Sequence, residues 1–308
     1  MHRPPAETVA EVYNQAGDSY VAYADGDPTQ LFSFEGQHAY ADRRLWSVLT
    51  KKLSALRATG ATAVSILDAG CGPGTWLRRL VTQADLLGFS RITARGFDVA
   101  AAQIETARRV SRDLAARPGV DLTFEVADLS GPLPEADASV DIALCLYSVL
   151  SHLPVASLPA IAAEFSRVTR GHFITTVRAV GSTPTVFVDS IENARHFKLD
   201  HQLDRCEVEL RGGRRMAVDF HLFCERELRD CFAVWFDIED LSGLDIFLNR
   251  FLPDARWNPA SLRADRHMLD HLAQLEETFA RTPGFIEHAT HLLLVGRRRA
   301  RQPRIGTS

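Results

Sequence analysis

The chain has 308 residues, 46% hydrophobic and 24% charged, the profile of an ordinary soluble globular protein with room for one large core and a smaller annex. Its formal net charge of −4 excludes a global basic field that would draw it to nucleic acid or anionic lipid. The five cysteines are odd in number and form no CxxC pair, which argues against a disulfide framework or a zinc site; no metal is expected, and no stretch reaches the roughly 18 apolar residues of a membrane span.

The opening MHRPPAETVAEVYNQAG has neither an apolar core nor a small-residue cleavage pattern, so no signal peptide is expected and a reducing cytoplasm is the expected compartment. Thr8–Gly17 and His38–Ala58 read as helices flanking an aromatic, turn-rich stretch, YVAYADGDPTQLFSFEG, and residues 1–60 are taken as a helical cap or lid. From 61 to 180 the pattern alternates. Short apolar runs at 64–68, 92–98, 122–128, 140–146 and 172–178 are separated by helical spacing, as in Ala100, Ile104, Ala107 and Val110. Strands that alternate with helices need crossovers, so a mostly parallel sheet covered on both faces is expected.

Residues 181–230 form an insertion. CEVEL and RMAVDF, either side of Gly212 and Gly213, read as a β-hairpin, followed by a short helix at Glu225–Phe232. Over 231–297 the expected elements are a strand (VWFDIEDL, 234–241), a polar helix from about Ala260 to Arg281, and a last apolar strand, THLLLVG, in the main sheet. Residues 298–308 are expected to be a basic, solvated tail.

The most informative stretch is ILDAGCGPGTW (66–76), in which three glycines occupy five positions directly after a strand. Such a loop lets a ligand approach the backbone, while the following helix offers free N–H groups. A phosphate-binding P-loop would need Lys-Ser or Lys-Thr after the last glycine, where Thr75-Trp76 stands. A dinucleotide fingerprint would need its third glycine at Thr75. What remains is D-x-G-x-G-x-G, beginning at Asp68.

In this motif, in the acids ending the second and third runs, and in LPEADASVDIALCLYSVLSHL, the sequence resembles the class I S-adenosylmethionine-dependent methyltransferases, over roughly Val64 to Gly296. The resemblance implies a Rossmann-like α/β fold with a seven-stranded, mostly parallel sheet whose last strand is antiparallel. It implies S-adenosylmethionine as cofactor, S-adenosylhomocysteine as product, and a cofactor site of Asp68, Gly70, Gly72, Gly74, Asp98, Val99, Asp128, Leu129 and Leu146. Asp98 would accept from the ribose hydroxyls, a task for which a carboxylate has two acceptor oxygens. Tyr20 would close over the cofactor, with Tyr13 and Tyr23 beside it on the substrate side, and His38 and Tyr40 as weaker candidates of the same kind. His152 and Tyr147, after the fourth strand, are the candidate catalytic residues; Arg178, His196, His201 and His221 are the remaining candidates for substrate contact.

The expected function is methyl transfer to a small-molecule acceptor, of natural-product type, with no nucleic-acid or membrane partner and with a homo-oligomer allowed. The fourth strand ends CLYS and lacks the Pro-Pro-Tyr of amino-methylating enzymes, which weighs against an exocyclic amine. Two alternatives stand beside it: self-cyclisation of S-adenosylmethionine to an azetidine amino acid with release of methylthioadenosine, and a non-catalytic cofactor-binding subunit.

Overall fold

A computed structural model describes residues 9–14, 30–34, 38–182, 194–200, 203–210, 213, 215–248 and 265–300. The central runs become strands β1 (Ala63–Ala69), β2 (Arg91–Asp98), β3 (Val120–Val126), β4 (Val140–Cys145) and β5 (Thr169–Arg178). With β9 (Phe236–Leu244) and β10 (His291–Arg298) they form one seven-stranded sheet, in the order β3-β2-β1-β4-β5-β10-β9. β1 pairs in parallel with both β2 and β4, and β10 alone runs against both of its neighbours, β5 and β9. The alternating pattern predicts the mostly parallel sheet, and the resemblance implies the rest of this Rossmann-like arrangement, with its one antiparallel strand last in the chain; that strand lies next to the edge.

Successive residues of a strand face opposite sides, so a strand buried on both sides must be apolar throughout. In the middle of β1, Ile66 joins the core on one face and Leu67 the core on the other. The first face is covered by α1 (Ala39–Ala58), α2 (Thr75–Leu86) and α3 (Ala101–Val110), and α3 is followed by a single helical turn, α4 (Arg112–Ala115). The second is covered by α5 (Leu158–Val168) and α6 (Glu225–Ala233). α1, which falls within the expected cap, lies in this layer: Leu45, Leu49 and Leu53 are fully buried and share a core with Leu77 and Leu80 of α2. Each such leucine contributes about 1.5–3 kcal/mol by burial, so α1 is part of the body of the fold.

The inserted segment forms a separate antiparallel sheet, β6 (Ala194–Asp200), β7 (Arg205–Leu210) and β8 (Arg215–Asp219), in that order. The expected hairpin is β7–β8; β6 is the strand that the polar RHFKLD sequence does not announce. The last helix, α7, runs Arg266–Phe279, its N-terminus capped by the Asp265 carboxylate, which accepts from the N–H groups of His267 and Met268. Among the described residues no helix is long and apolar enough to cross a membrane.

Candidate active site

Strand order reverses between β1 and β4, and ligands of open α/β sheets bind outside the carboxyl ends of strands at such a point. The glycine loop leaves β1 there. Gly70 and Gly74 have φ of 74° and 78°, a region that favours glycine. A Cβ on Gly70 would stand 2.3 Å from a Val149 methyl carbon, and one on Gly74 would stand 2.7 Å from the Phe124 ring, so both positions also need the missing side chain. The N–H groups of Gly70 and Cys71 donate to the Phe97 carbonyl of β2, at 2.8 and 3.0 Å.

Asp98 closes β2 and organises this loop. One carboxylate oxygen accepts from the Gly72 N–H and the other from the Ala100 N–H, both at 2.9 Å. Burial raises its pKa while those N–H groups pull it back. Asp68, 2% exposed at the end of β1, is pushed up to about 7 by burial and then by the charge of Asp98. Asp128, beyond the end of β3, turns one oxygen to the Ser130 N–H at 2.9 Å. Asp68, Gly70, Gly72, Asp98, Val99, Asp128, Leu129 and Leu146 all line one cavity of about 420 Å³. Gly74 lies just behind it, at the head of α2.

The same cavity is lined by Tyr13, His38, Trp76, Tyr147, His152, Arg178, Phe220 and His291. The Nδ1 of His152 lies 3.2 Å from the Asp219 carbonyl oxygen, which can only accept, so Nδ1 carries the proton. Nε2 then offers its lone pair, and the Tyr13 hydroxyl donates to it at 3.0 Å. Phe220 and Tyr13 meet the ring edge-on, at 4.9 and 5.6 Å between centroids. Burial, joined by the nearby Arg178 charge and opposed by the bond to Asp219, lowers the His152 pKa to about 4.

Tyr147 differs from His152 in what it can do. Its hydroxyl donates to the Asp42 carboxylate of α1, and burial together with that negative charge keeps it protonated far above its usual range. Its ring stacks on Trp76, 6.1 Å between centroids at 28°. Tyr147 is therefore a wall of the cavity and a poor base. It and Ser148 both have positive φ, 51° and 70°, and the turn is held by β5: the Tyr147 N–H donates to Thr176 Oγ1 and the Ser148 N–H to the Thr176 carbonyl.

Arg178, 5% exposed at the end of β5, donates from Nη1 to Nε2 of His291 at 3.2 Å. Burial and the Arg178 charge hold His291 well below its usual pKa. His38, Asp245 and His291 place their ligand atoms within 4.8 Å of one another, a grouping that no local motif announces because His38 precedes α1, Asp245 follows β9 and His291 opens β10. The guanidinium behind His291 opposes a second cation there.

The remaining sequence candidates fall elsewhere. His221 is not among the residues lining the cavity; its ring lies between Asp204 and Glu227. His196 sits on β6, its backbone paired with Glu209 of β7. Tyr20, Tyr23 and His201 lie outside the described residues. Tyr40 turns its hydroxyl to Glu277, at 3.3 Å. The sequence does not mark Phe220 or His291 as site residues; a lone histidine in the apolar THLLLVG is the available signal for the second.

Comparison with known proteins agrees with this geometry. Residues 66–172 match the family model described as Methyltransferase domain. The chain therefore carries a methyltransferase domain over residues 66–172. Among solved structures it is similar to the [4+2]-cyclase SpnF, with 17% identity and a TM-score of 0.53 over 96% of this chain and 99% of that one. It is also similar to magnesium protoporphyrin IX methyltransferase from Synechocystis PCC 6803, crystallised with bound S-adenosylhomocysteine, with 16% identity and a TM-score of 0.50 over 94% and 98% of the two chains. At these identities the likeness is one of fold. No curated protein matches the sequence.

Two buried carboxyls with raised pKa, Asp68 and Asp98, gain from a cationic ligand that restores their charged forms. S-adenosylmethionine carries an ammonium and a sulfonium. The loop that would receive it is bare of side chains where a ligand must approach, as Gly70 shows.

Proposed function

We propose that the chain methylates a small-molecule acceptor, with S-adenosylmethionine held by the glycine loop, Asp68, Asp98 and Asp128, and with His152 as general base. When bound, S-adenosylmethionine supplies a methyl group already activated by its sulfonium charge. The remaining work falls to the protein: it must align the acceptor, exclude water and take up the proton that an O–H or N–H acceptor loses.

The observation that carries this reading is the state of His152. Its Nδ1–H is engaged by the Asp219 carbonyl, its Nε2 accepts from a hydroxyl 3.0 Å away inside the cavity, and it stays neutral down to about pH 4. The Tyr13 hydroxyl marks where an acceptor hydroxyl can donate. Aromatic walls from Trp76, Tyr147 and Phe220, and a cavity of about 420 Å³, suit a small acceptor better than a polymer. The five cysteines are all free thiols, in keeping with a reducing cytoplasm.

The test is mass spectrometry of the purified protein incubated with methyl-labelled S-adenosylmethionine, with and without cell extract, beside an Asp98→Ala control. Label in a new metabolite together with S-adenosylhomocysteine supports methyl transfer. Methylthioadenosine released without extract replaces it with self-cyclisation, and cofactor binding without turnover replaces it with a non-catalytic subunit.

A further inference from the structure

The inserted sheet meets the core at the segment that leaves β8, residues 219–223. The His221 N–H donates to the Ser151 carbonyl at 2.6 Å, next to the base, and the Phe223 N–H donates to the Arg178 carbonyl at 2.8 Å. Asp219 supplies the carbonyl that receives the His152 Nδ1–H, and Phe220 supplies the ring edge-on to it. The base thus takes its orientation from the insertion, although it is carried by the short helical turn after β4.

The 219–223 segment is itself pinned by the side chain of His221. Nδ1 lies 2.9 Å from Asp204 Oδ2, in the turn between β6 and β7, and Nε2 lies 2.8 Å from Glu227 Oε1, in the first turn of α6. Both ring nitrogens thus lie within hydrogen-bond distance of a carboxylate. The Phe220 N–H donates to the Asp204 carbonyl at 2.7 Å, and the Phe223 ring closes the far side of His221, 4.6 Å between centroids.

We propose that His221 is a positioning residue for His152. By fastening the 219–223 segment between Asp204 and Glu227, it keeps the Asp219 carbonyl on Nδ1 and so leaves the Nε2 lone pair in the cavity. The groups that face His152 itself are Tyr13 from residues 9–14, Phe220 from the insertion and the Arg178 charge from β5. Among the described residues of the insertion, the Asp219 carbonyl is the group that dictates which nitrogen carries the proton. The proposal rests on the reading of His152 as the base, and its test needs no methyl acceptor.

The full chain labelled with ¹⁵N-histidine reports the tautomer of each imidazole by NMR, and His152→Gln identifies the signals of His152. In the wild type the Nδ1–H tautomer is expected to dominate. In His221→Phe, which keeps the ring bulk and loses both ring nitrogens, the ratio of Nδ1–H to Nε2–H is expected to fall about tenfold, the worth of one hydrogen bond, while S-adenosylhomocysteine affinity is retained. Glu227→Met, at a partly exposed position, releases one side of the clamp and serves if the first variant does not fold. A folded variant with the wild-type tautomer ratio overturns the proposal, as does a wild type with the proton on Nε2. Absence of methylated product would instead count against the reading of the reaction and leave the tautomer result standing.

Discussion

At the glycine-loop end of the cavity, Asp68 and Asp98 close consecutive strands of the sheet order and Asp128 follows a third; at the other end, Tyr13, His38, His152, Arg178, Phe220 and His291 arrive from six separated segments. The first end is fixed by strand register and backbone: Asp98 accepts from two N–H groups, and the loop N–H groups of Gly70 and Cys71 share the Phe97 carbonyl. The second is fixed by side chains, several of them on or against the insertion. A cofactor common to many reactions suits the first construction. An acceptor particular to one protein suits the second, because its walls can be exchanged without disturbing the sheet.

The sharpest way to break this division is at each end separately. Asp98→Ala removes the acceptor for the Gly72 and Ala100 N–H groups, and S-adenosylhomocysteine affinity measured by calorimetry should fall by roughly 100-fold or more. A loss of only a fewfold would mean that the ligand sits elsewhere. His152→Ala should do the converse: kcat lower by roughly 100- to 10,000-fold with cofactor affinity unchanged. In the wild type the acid limb of kcat should lie near the base's lowered pKa of about 4, well below the ordinary 6.5.

Asp68 offers a smaller and more selective effect. Its pKa is raised from 3.8 to about 7, so its contribution to stability is present below 3.8 and is lost as pH rises through 7. A cationic ligand favours the charged form. Affinity for S-adenosylmethionine should therefore climb with pH, by up to about tenfold per pH unit, and level off above about 7. Asp68→Asn should flatten that slope; a slope that survives the substitution belongs to another group. Smallest of all, Tyr13→Phe removes the hydroxyl that competes with an acceptor for the His152 Nε2 lone pair and should lower KM by about fivefold. No change there would make Tyr13 packing alone.

The same division explains what the sequence discloses. The glycine motif, the strand-end acids and the apolar runs are local patterns, and a parallel sheet turns each local strand end into a place on one rim. His152 was legible because it follows β4 on that rim. His221 was not legible as a clamp: a histidine in a polar insertion gives no sign that Asp204 and Glu227 will converge on it. Tyr147 has the right position and the wrong partner, since Asp42 on α1 fixes its hydroxyl. His291 joins Arg178 only because β10 pairs antiparallel with β5, placing the first residue of one strand opposite the last of the other.

That pairing has a consequence for biosynthesis. β10 lies between β5 and β9, yet it follows both in the chain, so during translation the two wait side by side with unfilled edges until residues 291–298 emerge. Exposed strand edges invite intermolecular pairing. The nascent domain should therefore be most vulnerable to aggregation in the interval between synthesis of β9 and arrival of β10, and a ribosome stalled in that interval would hold a half-sheet whose cavity still lacks His291.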